Sequence, residues 1–118
     1  MRDLAPEIVR QRLLIEGRYA AAIDAAAVSG FLLKIAAHLQ LRTYGEPIVH
    51  APSGEGKMEN QGFDAFLPLI DSGISLYVWS QQRFFATVLF TCKHFDVEAA
   101  LDFTRDYFGA SEIEHRTF

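Results

Sequence analysis

Residues 84–92, Phe-Phe-Ala-Thr-Val-Leu-Phe-Thr-Cys, are apolar or β-branched at both sets of alternate positions. Side chains of a strand point to opposite faces in turn, so a strand of this composition needs cover on both sides and belongs inside a sheet. Residues 74–79, Ile-Ser-Leu-Tyr-Val-Trp, share the aromatic and β-branched character. The short polar link Ser80-Gln81-Gln82-Arg83 predicts that the two runs form a hairpin. A third apolar run, residues 63–70, lies between Gly62 and Asp71-Ser72-Gly73. It predicts a buried strand in which Pro68, lacking an N–H, calls for a sheet edge or a bulge.

The remaining segments supply one more layer. Residues 12–19 alternate and read as a strand. Ile23, Ala27, Phe31, Ile35 and Leu39 recur every four residues, joined by Val28 and Leu32, with Asp24, Lys34 and His38 as polar interruptions; this is an amphipathic helix. Residues 42–50 read as a strand and the glycine-rich, polar stretch 51–62 as a surface loop. Asp96 is a candidate N-cap for a second helix with the stripe Val97, Ala100, Leu101, Thr104 and Phe108, ended by Gly109. Residues 112–118 read as a closing strand. The expected architecture is α+β, with two helices packed on one face of a mostly antiparallel sheet. Neither a repeat nor a linker divides the chain, so residues 1–118 form one expected domain. At 118 residues the core is adequate but not generous, and a homodimer is a natural way to cover leftover apolar surface.

Several function classes drop out. A formal charge of −4 opposes nucleic-acid binding, which needs a basic face. The apolar runs are too short to span a bilayer and the start of the chain lacks a signal peptide's apolar stretch, so no membrane partner is expected. The single Cys92 cannot form an internal disulfide, which fits the cytoplasm. Ser53-Gly54-Glu55-Gly56-Lys57-Met58 is too short for a phosphate-binding loop and carries Met where a hydroxyl should bind Mg²⁺, so no nucleotide cofactor is expected. His38, His50, His94 and His115 lack metal-ligand spacing, and no metal is expected. Asp71-Ser72-Gly73 is not the Gly-x-Ser-x-Gly elbow of hydrolases.

Other residues keep two readings each. Glu55, Lys57, Glu59 and Asn60 either form the solvated face of a loop or fold over a pocket and bind a charged substrate. Trp79, Phe84, Phe85 and Phe90 are core or dimer-interface aromatics, or one of them stacks on a substrate ring. Glu16 reads as an outward strand residue.

The block from Asp71 to Trp79, followed by Phe90-Thr91-Cys92, carries a family pattern. An acidic residue and a serine open a strand, a tryptophan follows seven residues after the serine, and a strand ends in Phe-Thr-Cys. This resembles the small prokaryotic S-adenosylmethionine decarboxylases, without a gap from Asp71 to Cys92, over roughly residues 62–108. The resemblance implies that family's sandwich fold and a self-cleaving proenzyme. In it the peptide bond before Ser72 rearranges to an ester and eliminates, turning Ser72 into a pyruvoyl cofactor. Cys92 matches the family's proton donor and Asp71 its glutamate before the serine. Three positions depart: Tyr77 replaces a histidine used in processing, Asp64 a processing serine, and Gly73 a histidine beside the cleavage point. A phenol with a pKa near ~10 is a poor base at neutral pH.

The function implied is pyruvoyl-dependent decarboxylation in polyamine and spermidine synthesis, on an amino-acid-like small molecule: S-adenosylmethionine, or a basic amino acid such as ornithine or arginine. The alternative is a homologue that keeps the fold but never cleaves, serving as a binding or partner subunit. For Ser72 the plainer reading is a turn residue, and for Cys92 a small buried hydrophobe.

Overall fold

The computed structural model describes residues 1–51 and 61–118. Its elements, in chain order, are β1 (Gln11–Arg18), α1 (Ala25–His38), β2 (Ile48–His50), β3 (Gly62–Leu69), β4 (Ser72–Trp79), β5 (Phe84–Thr91), α2 (Val97–Phe108) and β6 (Glu112–Thr117). The six strands form one antiparallel sheet in the order β2-β3-β4-β5-β1-β6. The expected α+β architecture is the one observed. β5 lies inside the sheet between β4 and β1, as its two apolar faces require.

Both helices cover one face. Leu13 and Ile15 of β1, Leu67 of β3, Ile74 and Leu76 of β4, and Phe85 and Leu89 of β5 are sealed beneath Val28, Phe31, Leu32 and Ile35 of α1 and Ala100 and Phe108 of α2. Phe108 holds the layers together: its ring stacks on Phe85 at 4.0 Å between centroids and lies 5.0 Å from that of Phe31. Ile48, Phe66, Tyr77 and Phe90 remain exposed. The pairings Ile48↔Phe66, Phe66↔Ser75, Asp64↔Tyr77 and Gly73↔Phe90 set these residues on the face without helices.

The helix ends follow their capping chemistry. Asp96 accepts the Ala99 N–H at 3.2 Å, and Gly109 closes α2 in the left-handed conformation with φ 58°. Asp24, a mere polar interruption in the periodicity, is the N-cap of α1 and accepts the Ala27 N–H at 2.8 Å. The helix therefore starts at Ala25, which leaves Ile23 of the apolar repeat just outside it.

One strand expectation needs correction. Residues 42–50 do not form one strand: only Ile48–His50 pairs along β3, while Thr43 makes an isolated bridge to Leu69. Gly45 and Pro47 lie between, and a proline cannot donate to a ladder. Of the two expectations for Pro68, the bulge is absent, the β3–β4 register running unbroken from Gly62↔Trp79 to Leu69↔Ser72, and the edge is local, on the side away from β4 past the end of β2. The Pro68 carbonyl accepts from the Tyr44 N–H at 3.2 Å. The missing N–H therefore points to the same side, beyond the end of short β2, where no regular strand needs it. Residues 52–60, including Glu55, Lys57, Glu59 and Asn60, lie outside the described residues.

Replacing Phe31, fully buried among three aromatic rings, by Ala should cost about 3–5 kcal/mol. Urea denaturation should show the midpoint falling with little change in slope.

Candidate active site

The β3–β4 turn brings the family-pattern residues together. Leu69 and Ser72 face each other across the last ladder pair, with Ile70 and Asp71 as the turn. Ser72 is already a strand residue, correcting its reading as a plain turn position. Its φ is 118°, a positive value that L-residues with a side chain rarely adopt. Ser72 pairs with Thr91 on β5. Cys92 follows Thr91 directly, and its N–H donates to the Asp71 carbonyl at 3.0 Å. The ladder thus joins the carbonyl of the Asp71–Ser72 bond to the backbone of the candidate proton donor. Cys92 itself is exposed, which corrects the reading of it as a buried hydrophobe.

Asp71 is buried, with only 3% of its surface accessible, and a carboxylate there requires a partner. Arg42, on the connection after α1, provides it. Arg42 Nη2 donates to Oδ1 at 2.8 Å, and its backbone N–H and Nε donate to Oδ2 at 3.0 and 3.4 Å. The hydrogen bonds from the Arg42 side chain and then its N–H, with Coulombic help from Arg42 and Lys93, hold the Asp71 carboxyl down at about 2, against the opposing effect of burial. The sequence reading missed Arg42 because residues 42–50 read as a strand, in which an arginine is one more alternating polar residue.

Gly73 and Phe66 explain one departure from the family pattern. A Cβ at Gly73 would come within 2.6 Å of two Phe66 ring atoms. The aromatic ring already occupies the space that a side chain at 73 would enter, and it forms a wall next to Ser72.

Tyr77 and Trp79 do not join this cluster within one chain. Tyr77 is five residues along β4 from Ser72 and Trp79 seven, which at ~3.3 Å per residue is roughly 16 and 23 Å. Tyr77 stands opposite Asp64, and both line a hollow of about 360 Å³ on the open face with Ile48, His50, Phe66 and Ser75. Trp79 is half-buried against Phe84, ring centroids 5.3 Å apart. The other sequence-selected substrate residues, Glu59 and Asn60, lie outside the described residues. Glu16 sits on β1 opposite Ala86 and Glu114. Among the described residues, no group of three or more His, Cys, Asp or Glu side chains is arranged to hold a metal ion, and no helix is long and apolar enough to cross a membrane.

The layered sheet with a strained serine at the head of its central hairpin defines a fold shared with a solved decarboxylase. The crystal structure of the adenosylmethionine decarboxylase from Aquifex aeolicus VF5 superposes with a TM-score of 0.68, covering 94% of this chain and 89% of that one, at 15% identity. A comparison with curated proteins finds no match. The family model for S-adenosylmethionine decarboxylase matches residues 14–118, and the chain belongs to that family, whose members depend on a pyruvoyl group.

The Arg42–Asp71 pair sets an acid limit on stability. Because the carboxyl is lower in the folded chain than its ordinary 3.8, the pair's contribution is complete above pH about 4 and is lost as the pH falls through about 2. Melting temperatures of the wild type and Asp71→Asn should differ most above that window and converge within it.

Proposed function

We propose that this chain is a self-cleaving, pyruvoyl-dependent decarboxylase of the cytoplasm, acting on S-adenosylmethionine or a related substrate with a free α-amine and carboxylate, in polyamine synthesis. The observation that carries the reading is the backbone at the Asp71–Ser72 bond: Ser72 has φ 118° and the Asp71 carbonyl receives the Cys92 N–H at 3.0 Å. A preorganised donor on a carbonyl oxygen stabilises the negative charge that develops there when a nucleophile adds.

The cleavage chemistry needs only atoms of the chain and one water. The Ser72 hydroxyl oxygen adds to the Asp71 carbonyl carbon, the C–N bond breaks, and the hydroxyl proton ends on the Ser72 nitrogen, so an amide becomes an ester. Loss of the Ser72 α-proton then expels the Asp71 carboxylate. Water converts the remaining enamine to a ketone and releases ammonia. Residue 72 suits the resulting group: it begins a strand, is only half-buried, and pairs with Thr91, whose neighbour Cys92 is exposed. When present, a pyruvoyl carbonyl accepts the electrons left behind as the substrate's carboxylate departs. In this reading Cys92, the family-pattern proton donor, returns a proton to the α-carbon, and the Phe66 ring at Gly73 occupies space next to Ser72.

The open sheet face supports a homodimer. Ile48, Phe66, Tyr77 and Phe90 are exposed on that face, with no helix over them among the described residues, and two sheets can pack face to face at ~10 Å. A second copy laid there would also carry Asp64 and Tyr77 to a neighbouring chain, although they stand far from Ser72 in their own.

A competing reading, a homologue that keeps the fold uncut as a binding or partner subunit, draws on those two positions, which lack the family's processing serine and histidine. Intact mass separates the two. Purified wild type should resolve into residues 1–71 and a fragment from residue 72 with no free amine, while Ser72→Ala stays whole with an unchanged fold and releases no CO₂ from S-adenosylmethionine, ornithine or arginine. A wild type that remains a single chain and releases no CO₂ favours the uncut subunit. Light scattering should give twice the chain mass, and Phe90→Glu should shift the protein toward monomer.

A further inference from the structure

Arg42 does more than neutralise a buried charge. Its carbonyl accepts the Ile70 N–H at 2.9 Å, its own N–H and guanidinium hold both oxygens of Asp71, and Lys93, just past Cys92, reaches back to the Gln40 carbonyl at 2.7 Å. One short segment after α1 is thereby fastened to the β3–β4 turn and to the end of β5. From the opposite side, the Cys92 N–H fixes the Asp71 carbonyl. Asp71 is thus held by side chain and main chain at once, and the next residue is the one at φ 118°. A non-glycine residue persists in such a conformation only where its surroundings over-determine it; here the ladder pairs to Leu69 and Thr91 hold Ser72 itself, and Arg42 holds the residue before it.

We infer that Arg42 is a positioning residue for self-cleavage: by clamping Asp71 it holds the Asp71 carbonyl and the Ser72 backbone in the arrangement from which the Ser72 hydroxyl attacks. The inference rests on the decarboxylase reading above. Arg42 touches neither the attacking oxygen nor the carbonyl carbon and acts through Asp71 alone. The guanidinium suits the task because its planar fork spans both carboxylate oxygens, as a lysine ammonium does not. Small misplacements of reacting groups cost large factors in rate, so a loosened Asp71 should slow the amide-to-ester step even in a folded chain.

A purely structural role would give a different pattern. Removing the Arg42 side chain leaves a buried carboxylate with the residue-42 backbone N–H but without its charged partner, and destabilises the protein whatever its role; removing Asp71 as well takes that penalty away. The test is a time course of intact mass for the full chain, with melting temperatures in parallel, for wild type, Arg42→Lys, Arg42→Ala, Asp71→Ala and the Arg42→Ala/Asp71→Ala double variant. Arg42→Ala is expected to cleave on the order of tenfold or more slowly, with Arg42→Lys in between. The double variant should recover melting temperature relative to Arg42→Ala yet cleave no faster, and no slower than Asp71→Ala, as expected for two residues acting as one unit. Arg42→Ala or the double variant cleaving at the wild-type rate overturns the inference, as does a double variant whose two losses multiply. A wild type that stays whole removes the decarboxylase reading and this inference together; a wild type that cleaves beside an equally fast Arg42→Ala removes only this one.

Discussion

A carboxylate withdrawn from water is tolerable only with a partner that meets its lone pairs, and in this protein Asp71 obtains that partner from a segment twenty-nine residues earlier. The consequences reach beyond the pair. The connection between α1 and β2 is held against the β3–β4 turn, with Arg42 giving both its side chain and its N–H to the same acid. The β3–β4 turn, otherwise free to settle into an ordinary two-residue hairpin, is tied on both flanks. Asp71 is thereby fastened by side chain and main chain, while Cys92 and the Arg42 guanidinium stay in contact with solvent.

The two faces of the sheet differ in how they are covered. Beneath the helices, Phe31, Phe85 and Phe108 make a dry, interlocked core that explains why this small chain holds a fixed shape. The opposite face keeps aromatic rings in the open. Phe66 there has a local role as well, because its ring occupies the space above Gly73 that a side chain at that position would enter. A residue that looks like a loss from the family pattern is therefore coupled to one that looks like an ordinary strand aromatic.

Most of the architecture was legible in the sequence because it rests on periodicity and capping. The two-sided apolar run of β5, the stripe of α2, Asp96 and Gly109 each carry their instructions within a few residues. What escaped was long-range. Nothing near Arg42 announces Asp71, and a charged residue flanked by Leu41 and Thr43 fits strand alternation equally well. Pro68 shows a related limit: between an edge and a bulge the choice depends on the length of the neighbouring strand, and the shortness of β2 could not be seen locally. The cluster of Asp71, Ser72 and Cys92 was found through the family pattern, whereas the positive φ at Ser72 is a product of tertiary fastening that no neighbouring residue encodes.

The strand order has a bearing on what a cut chain could become. β1 comes from the segment before Asp71 but is inserted between β5 and β6, both of which come after Ser72, while β3 and β4 are zipped along eight residue pairs. The two pieces would be interleaved like the fingers of clasped hands, and neither could leave without unravelling the sheet. A covalent break at the tip of one hairpin would be mechanically silent, so the polypeptide can surrender a backbone bond for a reactive end and keep its shape.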